Sequence, residues 1–321
     1  MNKKFSFLVL LLLTLVITAC SNNEVNEKKD TEKIVINTTL YPLQYVIENI
    51  AKDNVTVDTI YPPGVDAHTY EPTSKEITSL ASGDAFIYLG AGMEGFAETA
   101  AVALESQDVA LIEVGKNKDL FAKIDEHDEH DHEGHDEHEH EGHDHDHGGI
   151  DPHIWLDPIK MGDIGEIILP ELIKLKPELE TEFTNNLTAF KEDMVELDNS
   201  FKTTLLEKEH KDILVTHAAY GYWERNYGIK QLSINGLSTS DEPSQKQLAE
   251  ITRLAKELNI KYVIFEQGDS NRTAEIIEEH IGAKKLKLHN LEVLTEADIK
   301  NESDYLSLMK DNLEVLDKAT N

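Results

Sequence analysis

The chain has 321 residues, and its 62 Asp and Glu against 30 Lys and Arg give a formal net charge of −32. A surface this acidic repels nucleic acid and anionic lipid headgroups and favours the capture of cations. Cys20 is the single cysteine, which excludes an intramolecular disulfide, so the core alone must hold the fold together.

The first 32 residues indicate a secretion signal followed by a tether. Lys3 and Lys4 precede an apolar run over residues 7–17, which is too short for a comfortable membrane span and typical of a signal peptide. The run ends in Ile-Thr-Ala-Cys, which resembles a bacterial lipoprotein signal. We therefore expect a signal peptide over residues 1–19, lipidation of Cys20 and a flexible tether over residues 20–32. The lipid would anchor the protein to the extracytoplasmic face of the cell membrane.

Strand and helix patterns alternate through both halves of the remaining chain. In the first half, β-branched runs predict strands at 34–38, 55–60, 85–89 and 109–114, and helical periodicity appears at 43–52, 74–81 and 94–104. In the second half, strands are predicted at 212–216, 230–234, 262–265 and 285–288, with helices at 218–227, 244–258, 273–280 and 303–317. Such alternation predicts parallel sheets that are covered by helices on both faces.

A long helical block separates the two halves. Residues 161–175 have helical periodicity, with a kink or break expected at Pro170. Residues 178–208 contain no Pro or Gly, and their apolar side chains recur every three or four positions as a single stripe. A coiled-coil dimer is one interpretation of this stripe, but a rigid helix joining two α/β lobes fits the alternation better. The lobes would comprise residues 33–177 and 209–321.

Within the first lobe, residues 125–147 consist of nine histidines, twelve carboxylates and two glycines. The segment has no apolar side chain that could offset the entropy of ordering, so it is predicted to be a disordered loop. A solvated acidic loop would not need histidine, whereas imidazole with carboxylate suits Zn²⁺, Cu²⁺ and Ni²⁺. We expect an auxiliary metal-binding loop whose donors are His127, His130, His132, His135, His138, His140, His143, His145 and His147.

Three further histidines lie in settings typical of a binding site. His68 lies in a turn-rich loop after the second predicted strand, His153 lies between two prolines, and His217 follows a predicted strand. Ligands in open α/β sheets bind beyond the carboxyl ends of the strands. Glu266 ends a strand that should be buried, so its carboxylate needs a cation or several donors, such as a salt bridge to Arg272. Three imidazoles and one carboxylate would complete a tetrahedral Zn²⁺ site.

Other polar residues have less distinctive surroundings. Asp151, Asp157 or a backbone carbonyl could orient the ring of His153. The three other histidines outside the acidic loop show no partner pattern and are interpreted as structural or surface residues: His210, His280 and His289.

The motifs around these residues resemble those of the zinc/manganese-type solute-binding lipoproteins of bacterial ABC importers. The resemblance rests on the lipoprotein signal, Pro-Gly-Val-Asp-Ala-His68, Asp-Pro-His153-Ile-Trp-Leu-Asp-Pro, Val-Thr-His217, Phe-Glu266 and the segment 236–244. It covers essentially the whole mature chain. It implies two pseudo-symmetric α/β lobes with mainly parallel sheets, joined by one long helix, with one metal in the cleft between them. His68 and His153 would come from the first lobe, and His217 and Glu266 from the second.

The same resemblance implies the metal and the partners. Manganese-binding members tend to carry a carboxylate where this chain has His217, so the pattern indicates one tight site for Zn²⁺, with weaker sites in the acidic loop. In relatives, water can take the place expected here for Glu266. The implied function is a monomeric receptor that delivers zinc to an ABC permease and its ATPase, without enzymatic activity. Alternatives are a manganese or other divalent-metal receptor, an adhesin lipoprotein, and a secreted zinc hydrolase. The sequence lacks the His-Glu-x-x-His and nucleophile-elbow motifs of hydrolases.

Overall fold

Two four-stranded parallel sheets form the framework of the protein. The computed structural model describes residues 33–121, 150–268 and 271–321, so the signal segment, Cys20, the tether and the 125–147 loop lie outside the described residues. The strands of the first sheet are β1 Ile34–Thr38, β2 Val55–Thr59, β3 Ala85–Tyr88 and β4 Ala110–Glu113. Those of the second sheet are β5 Asp212–Val215, β6 Lys230–Ser233, β7 Tyr262–Glu266 and β8 Lys284–Leu288.

The two sheets have equivalent topologies. Their strand orders are β2-β1-β3-β4 and β6-β5-β7-β8, and every neighbouring pair is parallel. The predicted class, an α/β fold of two pseudo-symmetric lobes, is confirmed. In each sheet the strand order reverses between the first and third strands, which creates a crevice at their carboxyl ends.

Ten α-helices in the described parts of the chain connect and cover these sheets. They are α1 Tyr41–Ala51, α2 Ser74–Leu80, α3 Ala97–Leu104, α4 Pro158–Leu175, α5 Glu180–Leu205, α6 Gly221–Tyr227, α7 Gln245–Glu257, α8 Arg272–Ile281, α9 Glu296–Lys300 and α10 Tyr305–Ala319. Only α9 was not anticipated from the sequence, because five residues are too few to show helical periodicity. None of these helices is both long enough and apolar enough to cross a membrane.

The long helix α5 packs within its own chain. A 3₁₀ turn at Pro177–Leu179 precedes it, and its 26 residues span about 39 Å. It contacts α4, α1 and α10. Its apolar stripe is buried at every predicted position, namely Phe183, Leu187, Phe190, Met194, Leu197, Phe201 and Leu205. The stripe is therefore part of the core and not a coiled-coil seam.

Pro170 was predicted to kink or break its helix, and helix α4 continues through Pro170 without a break. Proline removes one backbone donor and leaves the carbonyl four residues earlier without its usual partner. Both Pro170 and Glu166, the residue that carries this carbonyl, are exposed on the helix surface. Because water can solvate the backbone groups of this exposed turn, the helix tolerates a proline at this position.

Candidate metal centre

Two of the predicted ligands lie beside each other at the crevice of the second sheet. His217 follows β5 by two residues, and Glu266 is the last residue of β7, the strand paired with β5. The Nδ1 atom of His217 is 2.8 Å from Oε1 of Glu266. Both side chains are almost fully buried. The carboxylate thus fixes the orientation of the imidazole ring, and the opposite ring nitrogen, Nε2, points away from it.

His153 is oriented in the same way by a carboxylate of its own loop. Asp151 Oδ1 lies 2.9 Å from Nδ1 of His153 and also accepts its backbone N–H at 3.0 Å. His153 is completely buried, and it immediately precedes a 3₁₀ turn at Ile154–Leu156. Asp157, the other predicted partner, instead caps α4 by accepting the N–H groups of its first turn. Asp151 therefore holds the ring, which leaves Nε2 of His153 available for a ligand.

His68 completes a group of three imidazoles. Its loop follows β2, and its backbone N–H donates to Oδ1 of Asp66 at 2.8 Å. The Nε2 atoms of His68 and His153 are 3.3 Å apart. The ring of His217 lies 5.1 Å from that of His68 and 4.9 Å from that of His153, measured between centroids. The three histidines predicted from separate parts of the sequence thus converge on one point.

The carboxylate in this cluster is Glu292, which was not among the predicted site residues. One ligand atom from each of His68, His153, His217 and Glu292 lies within 4.8 Å of all the others. Ligands of a tetrahedral Zn²⁺ ion with bonds of about 2.1 Å are separated by about 3.4 Å, so a modest contraction would close this cluster around an ion. The cluster has the predicted composition of three imidazoles and one carboxylate.

Glu266 has a different place from the one expected for it. It was predicted as the fourth ligand, whereas the structure places its carboxylate on Nδ1 of His217 and the hydrogen-bonding amide of Asn290, outside the four-residue cluster. Glu292 Oε1 is 3.7 Å from Nε2 of His68. Glu292 lies in a loop after β8 with no distinctive flanking motif, which is why periodicity and motif spacing gave no signal for it.

The buried charges of the site shift one another's pKa values. Burial by itself lowers the pKa of His217, but the charge and hydrogen bond of Glu266 outweigh burial and raise it to about 10. Burial likewise favours neutral Glu266, but the charge and hydrogen bond of His217 hold the pKa of that carboxyl below its ordinary value. Burial and the charge of Glu266 raise the pKa of Glu292, and burial lowers the pKa of His153. His217 and Glu266 therefore form an ion pair beside two less readily charged groups.

One carboxylate oxygen of the cluster is buried and accepts no hydrogen bond. Among the described residues, only Glu292 Oε1 and Thr216 Oγ1 are buried side-chain polar atoms without a hydrogen-bond partner. Leaving such an atom unsatisfied costs about 1–3 kcal/mol, and more when the group is charged. A cation bound among the three Nε2 atoms would provide the missing partner for Glu292.

The remaining histidines divide into two kinds. His210 and His280 are exposed, in agreement with their interpretation as surface residues. His289 is buried, and its Nε2 lies 3.0 Å from Oδ2 of Asp298. His289 lies three residues before Glu292, so it belongs to the loop that carries this carboxylate.

With this geometry, comparison with known proteins identifies the family. The profile of the family described as "ZnuA: Zinc-uptake complex component A periplasmic" matches residues 36–319. The chain belongs to this family. The resemblance found in the sequence motifs is thereby confirmed.

Individual relatives agree with the family match. "High-affinity zinc uptake system protein ZnuA" of Bacillus subtilis is 33% identical over 98% of this chain and 98% of its own length. "Zinc-binding lipoprotein AdcA" of Streptococcus pneumoniae is 33% identical over 99% of this chain but only 61% of the relative, so the chain spans about three fifths of that protein. The crystal structure of the Zn(II)-bound ZnuA-like domain of Streptococcus pneumoniae AdcA has a TM-score of 0.72 at 30% identity. That match covers 90% of this chain and 99% of the other.

Proposed function

We propose that this protein is an extracytoplasmic receptor that binds Zn²⁺ with high affinity and delivers it to the permease and ATPase of an ABC importer. The observation that carries the proposal is the convergence of His68, His153, His217 and Glu292 within 4.8 Å of one another. Membership of the zinc-uptake family and the names of the relatives support zinc as the cargo. Cys20 would hold the receptor at the membrane through its lipid, as the name of the streptococcal lipoprotein also suggests for that relative.

The composition of the cluster favours zinc over manganese. Three imidazoles and one carboxylate form a borderline donor set that suits Zn²⁺ in tetrahedral geometry, whereas Mn²⁺ prefers more oxygen donors. In this proposal Glu292 is the fourth ligand in place of Glu266, which is supported by its position in the cluster, and Glu266 supports His217 through its Nδ1 atom.

The same cluster argues against a zinc hydrolase. A catalytic zinc site keeps one coordination position open for water, with three ligands from the protein. Here the protein supplies four donors, and the side chains that carry them are all buried. Such a closed shell is suited to holding an ion until the protein changes conformation, which is the task of a receptor.

Metal analysis of purified variants tests this function. In a chain that lacks residues 125–147, the wild-type cleft should bind one Zn²⁺ tightly, and single alanine substitutions of His68, His153 or His217 should each abolish tight binding. Matched controls are His210→Ala and His280→Ala, which remove exposed histidines that are not part of the cluster and should leave stoichiometry and affinity unchanged. Tight binding that persists in all three cleft variants would exclude the proposed site.

A further inference from the structure

The turn that carries Glu292 has a backbone conformation that requires support. Leu291 is a fully buried non-glycine residue with φ of +62°. This left-handed conformation is unfavourable for a residue with a side chain, and it persists only where its surroundings impose it. Residues 289–292 follow β8 directly, so the conformation of this turn determines where the Glu292 carboxylate lies.

The side chain of His289 makes the contact that stabilises this turn. Its Nδ1 atom accepts the backbone N–H of Leu291 at 2.9 Å, so Nδ1 carries no proton. The proton must then be on Nε2, which donates to Oδ2 of Asp298 at 3.0 Å. Asp298 is fixed in turn, because its Oδ2 also accepts the backbone N–H and the hydroxyl of Thr295 in the capping box of α9. The carboxylate thus selects the tautomer of His289 that can accept from Leu291.

The other side of the turn is held by α10 and by the opposite lobe. Asn312 donates to the carbonyl of His289 and accepts its N–H, each at 2.8 Å. The carbonyl of Asn290 accepts the indole N–H of Trp155 at 2.7 Å, and the carbonyl of Glu292 accepts the N–H of Tyr41 at 2.9 Å. Within the turn, Oδ1 of Asn290 accepts the backbone N–H of Glu292 at 3.2 Å. Of these contacts, only the one from His289 Nδ1 acts on Leu291, the residue with the unfavourable backbone angle.

We propose that His289 and Asp298 are positioning residues for the metal centre, which hold Leu291 in its left-handed conformation so that Glu292 reaches the three imidazoles. Neither residue belongs to the ligand cluster. The inference rests on the proposed function, since it assigns a role in the affinity of the same zinc site. It also gives His289, which has no partner pattern in the sequence, a specific task.

Two substitutions distinguish the contacts made by the two ring nitrogens of His289. His289→Asn puts an amide oxygen near the position of Nδ1 and keeps an acceptor for the Leu291 N–H. His289→Gln puts an amide nitrogen near the position of Nε2 and keeps a donor for Asp298, but it loses the acceptor for Leu291. We expect His289→Gln to weaken Zn²⁺ binding by about 10-fold or more, as is usual for partners of metal ligands, and His289→Asn to remain near the wild type. His210→Asn and His210→Gln are the matched controls at an exposed position.

A double-mutant cycle then tests whether the effect passes through Glu292. Zinc affinity is measured by chelator competition for the wild type, His289→Gln, Glu292→Gln and the double variant, all without residues 125–147. The proposal requires His289→Gln to have little further effect once Glu292→Gln is present, because the two changes remove the same interaction. Cobalt(II) bound to His289→Gln should show the visible spectrum of Glu292→Gln and not that of the wild type.

The possible results are distinct. Equal zinc affinity of His289→Gln and the wild type would overturn the positioning role. So would an undiminished effect in the Glu292→Gln background, or failure of both His289 variants to fold, because either result would assign His289 to general stability. Absence of tight zinc binding in the wild-type cleft would instead overturn the proposed function, and this inference with it.

Discussion

His217 and Glu266 form a buried pair in which Nδ1 of the imidazole is 2.8 Å from Oε1 of the carboxylate. The other ring nitrogen, Nε2, is 2.8 Å from the carbonyl oxygen of Leu237, which is also an acceptor. Both nitrogens must carry a proton to satisfy these contacts, so the ring is an imidazolium. This agrees with a pKa of His217 that Glu266 raises, against the effect of burial, to about 10. In this geometry Nε2 of His217, the nitrogen that faces the cluster, therefore carries a proton.

Zinc binding should consequently release about one proton from His217 at pH 7.5. An ordinary histidine with a pKa near 6.5 would already be neutral at this pH and would release almost none. Because the raised pKa lies above the working pH, the apparent affinity should rise about 10-fold per pH unit between pH 7.5 and about 9 from this proton alone. Calorimetry in buffers of different ionisation enthalpy measures the released protons. A value near zero at pH 7.5 would contradict an imidazolium at this position.

Replacement of Glu266 should weaken zinc binding without removing a ligand. Glu266→Gln keeps the shape of the side chain but removes the charge that stabilises the His217 ring, so we expect a loss of about 10- to 100-fold in affinity. Proton release at pH 7.5 should fall as well, because the pKa of His217 loses its main source of elevation. The visible spectrum of bound cobalt(II) should keep the intensity of four-coordination in Glu266→Gln and lose it in Glu292→Ala. The reverse pattern would make Glu266 the ligand.

A hydrogen bond between the two lobes should slow the release of the metal. Thr239 Oγ1 donates to Oδ2 of Asp66 at 2.6 Å, and Oδ1 of the same carboxylate accepts the backbone N–H of His68. The bond thus connects the loop of a ligand to the second lobe. Thr239→Val removes only the hydroxyl, and the loss of a bond to a charged group should raise the zinc dissociation rate about 10-fold.

Stopped-flow transfer of zinc to a fluorescent chelator measures this rate. Thr203→Val is the matched control, since Thr203 is exposed on α5 and donates only to a carbonyl of its own helix. Equal dissociation rates for Thr239→Val and the wild type would mean that the bond does not limit release.

The sequence predicted the fold and three of the four clustered donors because both leave local signals. Strand and helix alternation is visible in the hydrophobic pattern, and His68, His153 and His217 each lie in a proline-rich loop or directly after a strand. The carboxylate of the cluster was harder to predict from the sequence, because Glu266 and Glu292 both belong to the second lobe and both are buried. Which of them meets the imidazoles depends on the turn at Leu291, whose left-handed angle no residue preference indicates. The positioning contact of His289 is invisible in the sequence for the same reason.

The acidic histidine-rich segment, residues 125–147, should add weak zinc sites and leave the tight one unaffected. A segment with twelve carboxylates and no apolar side chain must lose conformational entropy for each ion it orders around, whereas the cleft donors are already oriented by Asp151 and Glu266. Deletion of the segment should therefore remove the low-affinity phase of a calorimetric titration while the high-affinity phase keeps one Zn²⁺ per chain. A scrambled segment of the same composition serves as the control, since unspecific weak binding should survive scrambling. Disappearance of the high-affinity phase on deletion would locate the tight site in the segment and refute the cleft assignment.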